Sequence, residues 1–218
     1  MDPRLALRSF DYGHLVAKLL DKGIIEVSSQ TKETVGVFFV AKRSGELRLI
    51  FDTRRSNCWF EEPEYTALPS AESLTSVEVT PGMQANLGQG DVEVCFYQYE
   101  LPEALREFFG LLPVDAHYIP PSVRQRHNLP DTGLVHTRSR VVPMGWNWAV
   151  RWVQGAHEEV FSRAGLRGHW LRDKQPAVAI DVEDCDGEGV LALYIDNFAA
   201  LAHSPEAAAL TATACRRR

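Results

Sequence analysis

Two aspartates stand where the chain is expected to turn at the ends of apolar strands. Asp91 opens a stretch running through Val92, Val94, Cys95 and Phe96, and Asp196 lies between the apolar runs 190–195 and 198–202. Two carboxylates brought together at sheet ends could hold a pair of Mg²⁺ ions, which take oxygen ligands and leave room for substrate phosphates. Taken singly, each aspartate fits a turn or cap residue better. Lys42 and Arg48 flank a glycine-containing turn and, in isolation, fit solvated hairpin charges. His117, His127 and His136 match no zinc spacing and no cysteine lies among them, so surface histidines are expected there.

The elements that must position these residues are legible as patterns. Between residues 11 and 22 the apolar Tyr12, Leu15, Val16, Leu19 and Leu20 fall at helical spacing, and Gly23 follows where a helix-ending glycine belongs. Residues 35–42 and 47–52 are rich in β-branched and aromatic side chains and predict a hairpin. A three-residue loop with Gly45 in the left-handed position would pair Lys42 with Glu46 and Val40 with Arg48, placing Lys42 and Arg48 on one face. Residues 61–90 are rich in Pro, Ser, Thr and Gly, which predicts a connection with one short helix near 70–76. A strand is expected over 92–101, then a helical turn from Pro102 through Phe109.

Further along, 113–140 hold four prolines and read as loops with short strands. Asn147 is placed to cap a helix reaching Arg163, with Trp148, Trp152, Ala156 and Val160 as a stripe to be buried, widened by Ala149 and Val153. Asp196-Asn197 suits the tight turn of a second hairpin. Helices alternating with hairpins imply an α+β layer architecture.

Composition excludes some classes. The chain has 218 residues, 45% of them hydrophobic and 24% charged, the balance of a folded globular protein. Its formal charge of -6 provides no bulk positive field for nucleic acid or anionic membrane, so any polyanion site must be local. No apolar run approaches a membrane span, and Met1-Asp2-Pro3-Arg4 leads into no signal segment, so an intracellular protein of cytoplasm or nucleus, not secreted, is expected. Cys58, Cys95, Cys185 and Cys215 form no C-x-x-C pair and are expected to be free thiols.

The order of the signals adds a resemblance. Phe39-Val40-Ala41-Lys42, then Gly45, Arg48, Asp52, Arg54 and Asn57, resemble the fingers motifs of reverse transcriptases. Asp91-Val92-Glu93-Val94-Cys95-Phe96 resembles their first palm motif, Val142-Pro143-Met144-Gly145-Trp146 through Gln154 the L-P-x-G-x motif, and Tyr194-Ile195-Asp196-Asn197 the Y-x-D-D hairpin. Four motifs in family order, from about residue 23 to 202, look closest to enzymes of LTR-type and related retroelements.

That resemblance implies a reverse-transcriptase-like fingers and palm, with an antiparallel palm sheet packed on helices and the thumb absent. It divides the chain into an N-terminal helix and fingers (1–85), a palm (86–112 and 141–205), a fingers-type insert (113–140) and a tail (206–218). It implies an RNA-directed DNA polymerase, a nucleotidyltransferase in which Asp91 and Asp196 are catalytic and Mg²⁺ or Mn²⁺ is held by Asp91, Val92 and Asp196. Lys42, Arg48, Phe96, Met144 and Gly145 would contact the nucleotide, Phe96 gating its sugar, while Tyr194, Ile195 and Asn197 complete the hairpin motif. The implied partners are an RNA or DNA template with primer and deoxynucleoside triphosphates, with the thumb and downstream domains in a parent polyprotein and no membrane.

Three departures from the family pattern bear on activity. Asn197 replaces the second aspartate of the hairpin motif, Met144 stands where retroviral enzymes have glutamine, and the chain ends at Arg218 without room for a thumb. Two other readings therefore stand beside the polymerase: a truncated or degenerate retroelement remnant that keeps the fold with little or no activity, and a noncatalytic α+β interaction module.

Overall fold

The structure, a computed structural model, describes residues 8–29, 31–163, 169–180, 189–202, 204, 205 and 208. Cys185, Cys215 and, apart from Ala208, the tail 206–218 lie outside these residues. The fold is mixed α and β, with small, mostly antiparallel sheets. No helix among the described residues is long and apolar enough to cross a membrane. The chain divides into two compact units, Met1–Pro63 with Phe96–Ala149 and Glu64–Cys95 with Val150–Arg218.

The first unit opens with helix α1 (Ser9–Asp21), whose spacing buries Tyr12, Val16, Ala17, Leu19 and Leu20. Strand β1 (Ile25–Val27) follows and pairs with Thr137–Ser139. The hairpin of β2 (Gly36–Ala41) and β3 (Leu47–Asp52) has the register that the three-residue loop requires. Val40 faces Arg48, the Lys42 amide donates to Glu46 O at 2.8 Å, and Gly45 adopts φ 87°, where a side chain would be strained. Val37 and Phe51, paired across the hairpin, are buried, whereas its tip is exposed.

Several expectations are corrected in this unit. The expected strand 92–101 is instead a turn and a 3₁₀ helix (Cys95–Gln98), entered through Val94 at φ 48°. The Tyr97 hydroxyl donates to Leu49 O of β3 at 2.8 Å within the first unit. Pro102 caps a helix of only four residues, Glu103–Arg106, because the next amides make shorter i→i−3 bonds and Gly110 then bridges to Thr34 and Arg138. The 113–140 stretch contains, besides short strands, an unforeseen helix, Pro121–Arg126, begun by its own proline.

The second unit carries a four-stranded sheet. Its strands are β5 (Asn86–Asp91), β9 (His169–Trp170), β11 (Val190–Tyr194) and β12 (Asn197–Ala202), in the order β5-β12-β11-β9 and antiparallel except for β9 beside β11. Val190, Leu191, Ala192 and Leu193 are all buried, so β11 is covered on both faces, which is why it reads as a continuous apolar run. Leu193 and Phe198 join Phe161 in one cluster, and Val190 and Ala192 join Leu171 and Ile180 in another.

Helix α6 (Ala149–Arg163) spans the expected range with a different face buried. Ala149, Val153, His157 and Phe161 are inside together with Gln154, whereas Trp152 and Val160 remain 37% and 41% exposed. Asn147 does not cap it through its side chain. Its buried Oδ1 has no hydrogen-bond partner among the described residues, and its amide donates instead to Asn57 Oδ1 at 3.1 Å.

Gly90, next to Asp91, is required by packing. A Cβ there would stand 2.2 Å from the Phe198 ring, which is itself buried and cannot swing away. Gly90→Ala is therefore expected to cost about 1–3 kcal/mol by overpacking, read as a lower urea midpoint with an unchanged m-value.

Candidate active site

The ends of β5 and β12 meet. Asn197 lies opposite Asp91 in the register, and the Val92 amide donates to Asp196 O at 2.7 Å. This brings Asp91, an exposed side chain, beside the half-buried Asp196. Burial, followed by the negative charges of Asp196 and Asp91, pushes the Cys95 thiol up to about 12, so both carboxylates lie within electrostatic reach of one sulfur. Cys95 is an inert thiol at neutral pH.

Neither Asp91 nor Asp196 forms an ion pair among the described residues. Elsewhere carboxylates are routinely matched: Asp52 takes Arg54 at 2.8 and 2.6 Å, which holds its carboxyl down at about 2, and Glu26 takes both Arg106 and Arg138 at 2.7 Å. The bond that Asp196 Oδ1 does accept, at 3.0 Å, comes from the Asn197 amide. The residue that departs from the family motif thus occupies one lone pair of the candidate ligand instead of adding a second charge. Two carboxylates without a side-chain cation suit a hard cation that completes its shell with phosphate and water. No group of three or more His, Cys, Asp or Glu able to hold a metal gathers among the described residues.

The hairpin turn is Ile195-Asp196, since Tyr194 already pairs with Asn197; the expected turn Asp196-Asn197 is one residue late. Ile195 adopts φ 57°, a strained conformation for a β-branched residue. Two side chains of α6 hold it there. Its amide donates to Gln154 Oε1 at 2.9 Å, and its carbonyl lies 2.6 Å from His157 Nδ1. Gln154 Nε2 also donates to Leu193 O and to Glu158 Oε1, each at 2.9 Å. Burial lowers the His157 pKa, so the ring is neutral near pH 7. The sequence reading missed His157 and gave Gln154 no role. The available signal was two polar residues three apart on a helix face that otherwise carries Ala149, Val153 and Phe161.

Beside these strand ends lies a cavity of about 590 Å³ within the second unit, bordered by Gly90, Asp91, Tyr194 and Asn197 and, from helix α3 (Ala71–Thr75) and its approach, by Ser70 and Leu74. Ser70 caps that helix in a capping box with Ser73, and its hydroxyl donates to Asp173 at 3.2 Å.

The remaining expected residues belong to the first unit. Lys42 Nζ pairs with Glu46 at 3.0 Å on the face it shares with Arg48, and Arg48 forms no ion pair among the described residues. Phe96 is half-buried within the 3₁₀ helix. Met144 is half-buried and Gly145 exposed, with φ 116° and 2.9 Å between a notional Cβ and Phe51 O. Asn57 grips both sides of that turn, donating to Gly145 O at 3.1 Å and accepting from the Asn147 amide.

No protein-family model and no curated protein matches the sequence. Among 437 chains of solved structures that do match is the foamy viral protease-reverse transcriptase, solved in complex with double-stranded DNA. The TM-score is 0.56 at 10% identity, over 90% of this chain and 26% of that one. The likeness is one of fold: this chain has a reverse-transcriptase-like fold and spans about a quarter of the foamy viral chain.

The grip on Ile195 has a measurable energetic consequence. Gln154→Leu keeps the size of the side chain while leaving Leu193 O and the Ile195 amide unpaired. A loss of roughly 2 kcal/mol or more is expected, since each buried unsatisfied group costs ~1–3 kcal/mol. Chemical denaturation checks this, and a loss under about 0.5 kcal/mol, the usual range of surface changes, would show that the grip contributes little.

Proposed function

We propose that the chain is the nucleotidyl-transfer core of an RNA-directed DNA polymerase. The observation that carries the reading is the meeting of the Asp91 strand end with the Asp196 hairpin tip, two carboxylates without a side-chain cation among the described residues, in a chain of reverse-transcriptase-like fold. In this reading the first unit is fingers-like and the second holds the palm sheet. Asp91 and Asp196, with the Val92 carbonyl, would hold Mg²⁺ or Mn²⁺. When bound, such ions supply Lewis-acid polarisation of phosphoryl oxygens and lower the pKa of a coordinated hydroxyl. Asn197 orients the Asp196 carboxylate through the bond to Oδ1. Lys42 and Arg48 are assigned the charge of the incoming triphosphate, and Met144 and Gly145 a place beside the nucleotide.

A template and primer are the macromolecular partner in this reading, and the neighbour's double-stranded DNA is in keeping with it. The positive charge available for phosphates is small. Arg124, Arg126, Arg138 and Arg140 are each committed to a carboxylate, of Asp131, Asp21, Glu26 and Glu100 respectively. Binding by this chain is therefore expected to be weak and salt-sensitive.

Primer extension on an RNA template with Mg²⁺ or Mn²⁺ tests the proposal. Asp91→Asn should abolish extension, and activity that survives it would come from another site. Asn197→Asp adds a negative charge beside Asp196 and is expected to lower the Mg²⁺ concentration for half-maximal rate. A folded chain that extends no primer, alone or with Asn197→Asp, would favour the remnant.

Phe96 carries a separate expectation about sugar choice. Asp91 and Phe96, five residues apart, would face opposite sides of an uninterrupted strand. The turn at Val94 and the 3₁₀ helix remove that obstacle. In an active chain Phe96→Val should raise ribonucleotide relative to deoxyribonucleotide incorporation. Equal loss of both, with a lowered melting temperature, would make Phe96 a core residue only.

A further inference from the structure

His157 touches two things at once. Its Nδ1 stands 2.6 Å from Ile195 O, and because a carbonyl oxygen only accepts, Nδ1 must carry the proton. In the neutral ring Nε2 is then bare, and it lies 4.0 Å from the Cys95 sulfur, whose thiol can donate weakly to it. Ile195 immediately precedes Asp196, and Cys95 lies four residues after Asp91. The ring is 6% exposed and lies parallel to Phe161, with centroids 6.2 Å apart and planes 8° from parallel, so it is fixed by packing as well as by hydrogen bonds.

We propose that His157 is a positioning residue which, as the Nδ1–H tautomer, tethers the Asp196 hairpin tip to the segment following Asp91 and so sets the spacing of the two carboxylates. The metal consequence of this tether rests on the nucleotidyl-transfer reading; the tether itself does not. Ile195 sits in a left-handed conformation that is strained for a β-branched residue, and without the imidazole its carbonyl loses the bond that opposes relaxation. Relaxation of Ile195 would move Asp196 O away from the Val92 amide. In this role the imidazole acts through the Ile195 carbonyl and the Cys95 thiol.

The test begins with the unsubstituted chain. Long-range ¹H–¹⁵N spectra of the histidine rings should show His157 protonated at Nδ1 and bare at Nε2, and the opposite tautomer would overturn the proposal. Amide exchange then reads the tether at Val92. His157→Phe keeps the ring against Phe161 and removes the bond, so Val92 exchange should accelerate about tenfold while Val37 of the first unit is unchanged. His157→Asn, whose amide nitrogen can replace Nδ1, should return Val92 to within about threefold of the original rate. Phe161→Leu loosens the same packing without touching Ile195. If it accelerates Val92 as much as His157→Phe does, or if His157→Phe leaves Val92 protected, His157 is a packing residue and the proposal fails.

Mn²⁺ binding followed by electron paramagnetic resonance separates the tether from the functional reading. His157→Phe should weaken Mn²⁺ affinity about fivefold and His157→Asn should restore it. Equal affinity in all three chains would overturn the claim that the tether sets carboxylate spacing. If the unsubstituted chain binds no Mn²⁺, the metal role and the nucleotidyl-transfer reading fail together, while Val92 exchange still decides the tether.

Discussion

The second unit depends on a polar contact inside an apolar interface. Gln154 and His157 occupy positions of α6 that would otherwise hold Leu or Phe, and they use them to satisfy the amide and carbonyl of Ile195. A two-residue hairpin loop commonly demands positive φ, and this chain supplies it with isoleucine instead of glycine. Such a turn persists only if its surroundings over-determine it. Gln154 does this through three bonds, two of them to the hairpin backbone, so helix and hairpin tip are locked at one register.

From that lock the geometry of the candidate site follows. Fixing Ile195 fixes Asp196, whose carbonyl accepts from Val92, and the β12–β5 pairing then sets Asp91 against Asn197. Close approach of β5 needs Gly90, because the Phe198 ring fills the space where a Cβ would be. The same ring belongs to the cluster with Phe161 and Leu193 beneath α6. Core packing and site construction are therefore one constraint: the residues that bury apolar surface also bring the carboxylates together.

How far the sequence revealed this varies with the physics at each element. The β2–β3 register was readable because glycine at position 45 is what a three-residue loop requires, and α1 because its apolar spacing is uninterrupted. Strand β5 was hidden. Asn86-Leu87-Gly88-Gln89-Gly90-Asp91 has no strand-like pattern, and it is extended because β12 offers it a partner. The face of α6 was misread for a related reason. Tryptophans outweigh glutamine and histidine in any hydrophobic pattern, yet Gln154 and His157 are inside because strained backbone elsewhere needs their hydrogen bonds, a demand visible only once the hairpin is in place. The strand expected over 92–101 is broken at Val94, where the chain takes φ 48° and enters a 3₁₀ helix.

Charge is distributed in keeping with this division of labour. In the first unit the arginines of the 113–140 stretch are absorbed by carboxylates, and Glu26 and Glu100 each bind two guanidinium groups. The β2–β3 tip retains Arg48 outside any ion pair among the described residues, with Lys42 sharing a single exposed glutamate. At the Asp91–Asp196 meeting point the imbalance has the opposite sign, and Cys95 is held protonated by burial first and by these two carboxylates second. Glu26, Glu100 and Asp52 each take an arginine, whereas neither Asp91 nor Asp196 forms an ion pair among the described residues. Gln154 and His157 commit three hydrogen bonds to the hairpin backbone beside Asp196, so the polar side chains of α6 are spent on holding the strained turn that carries it.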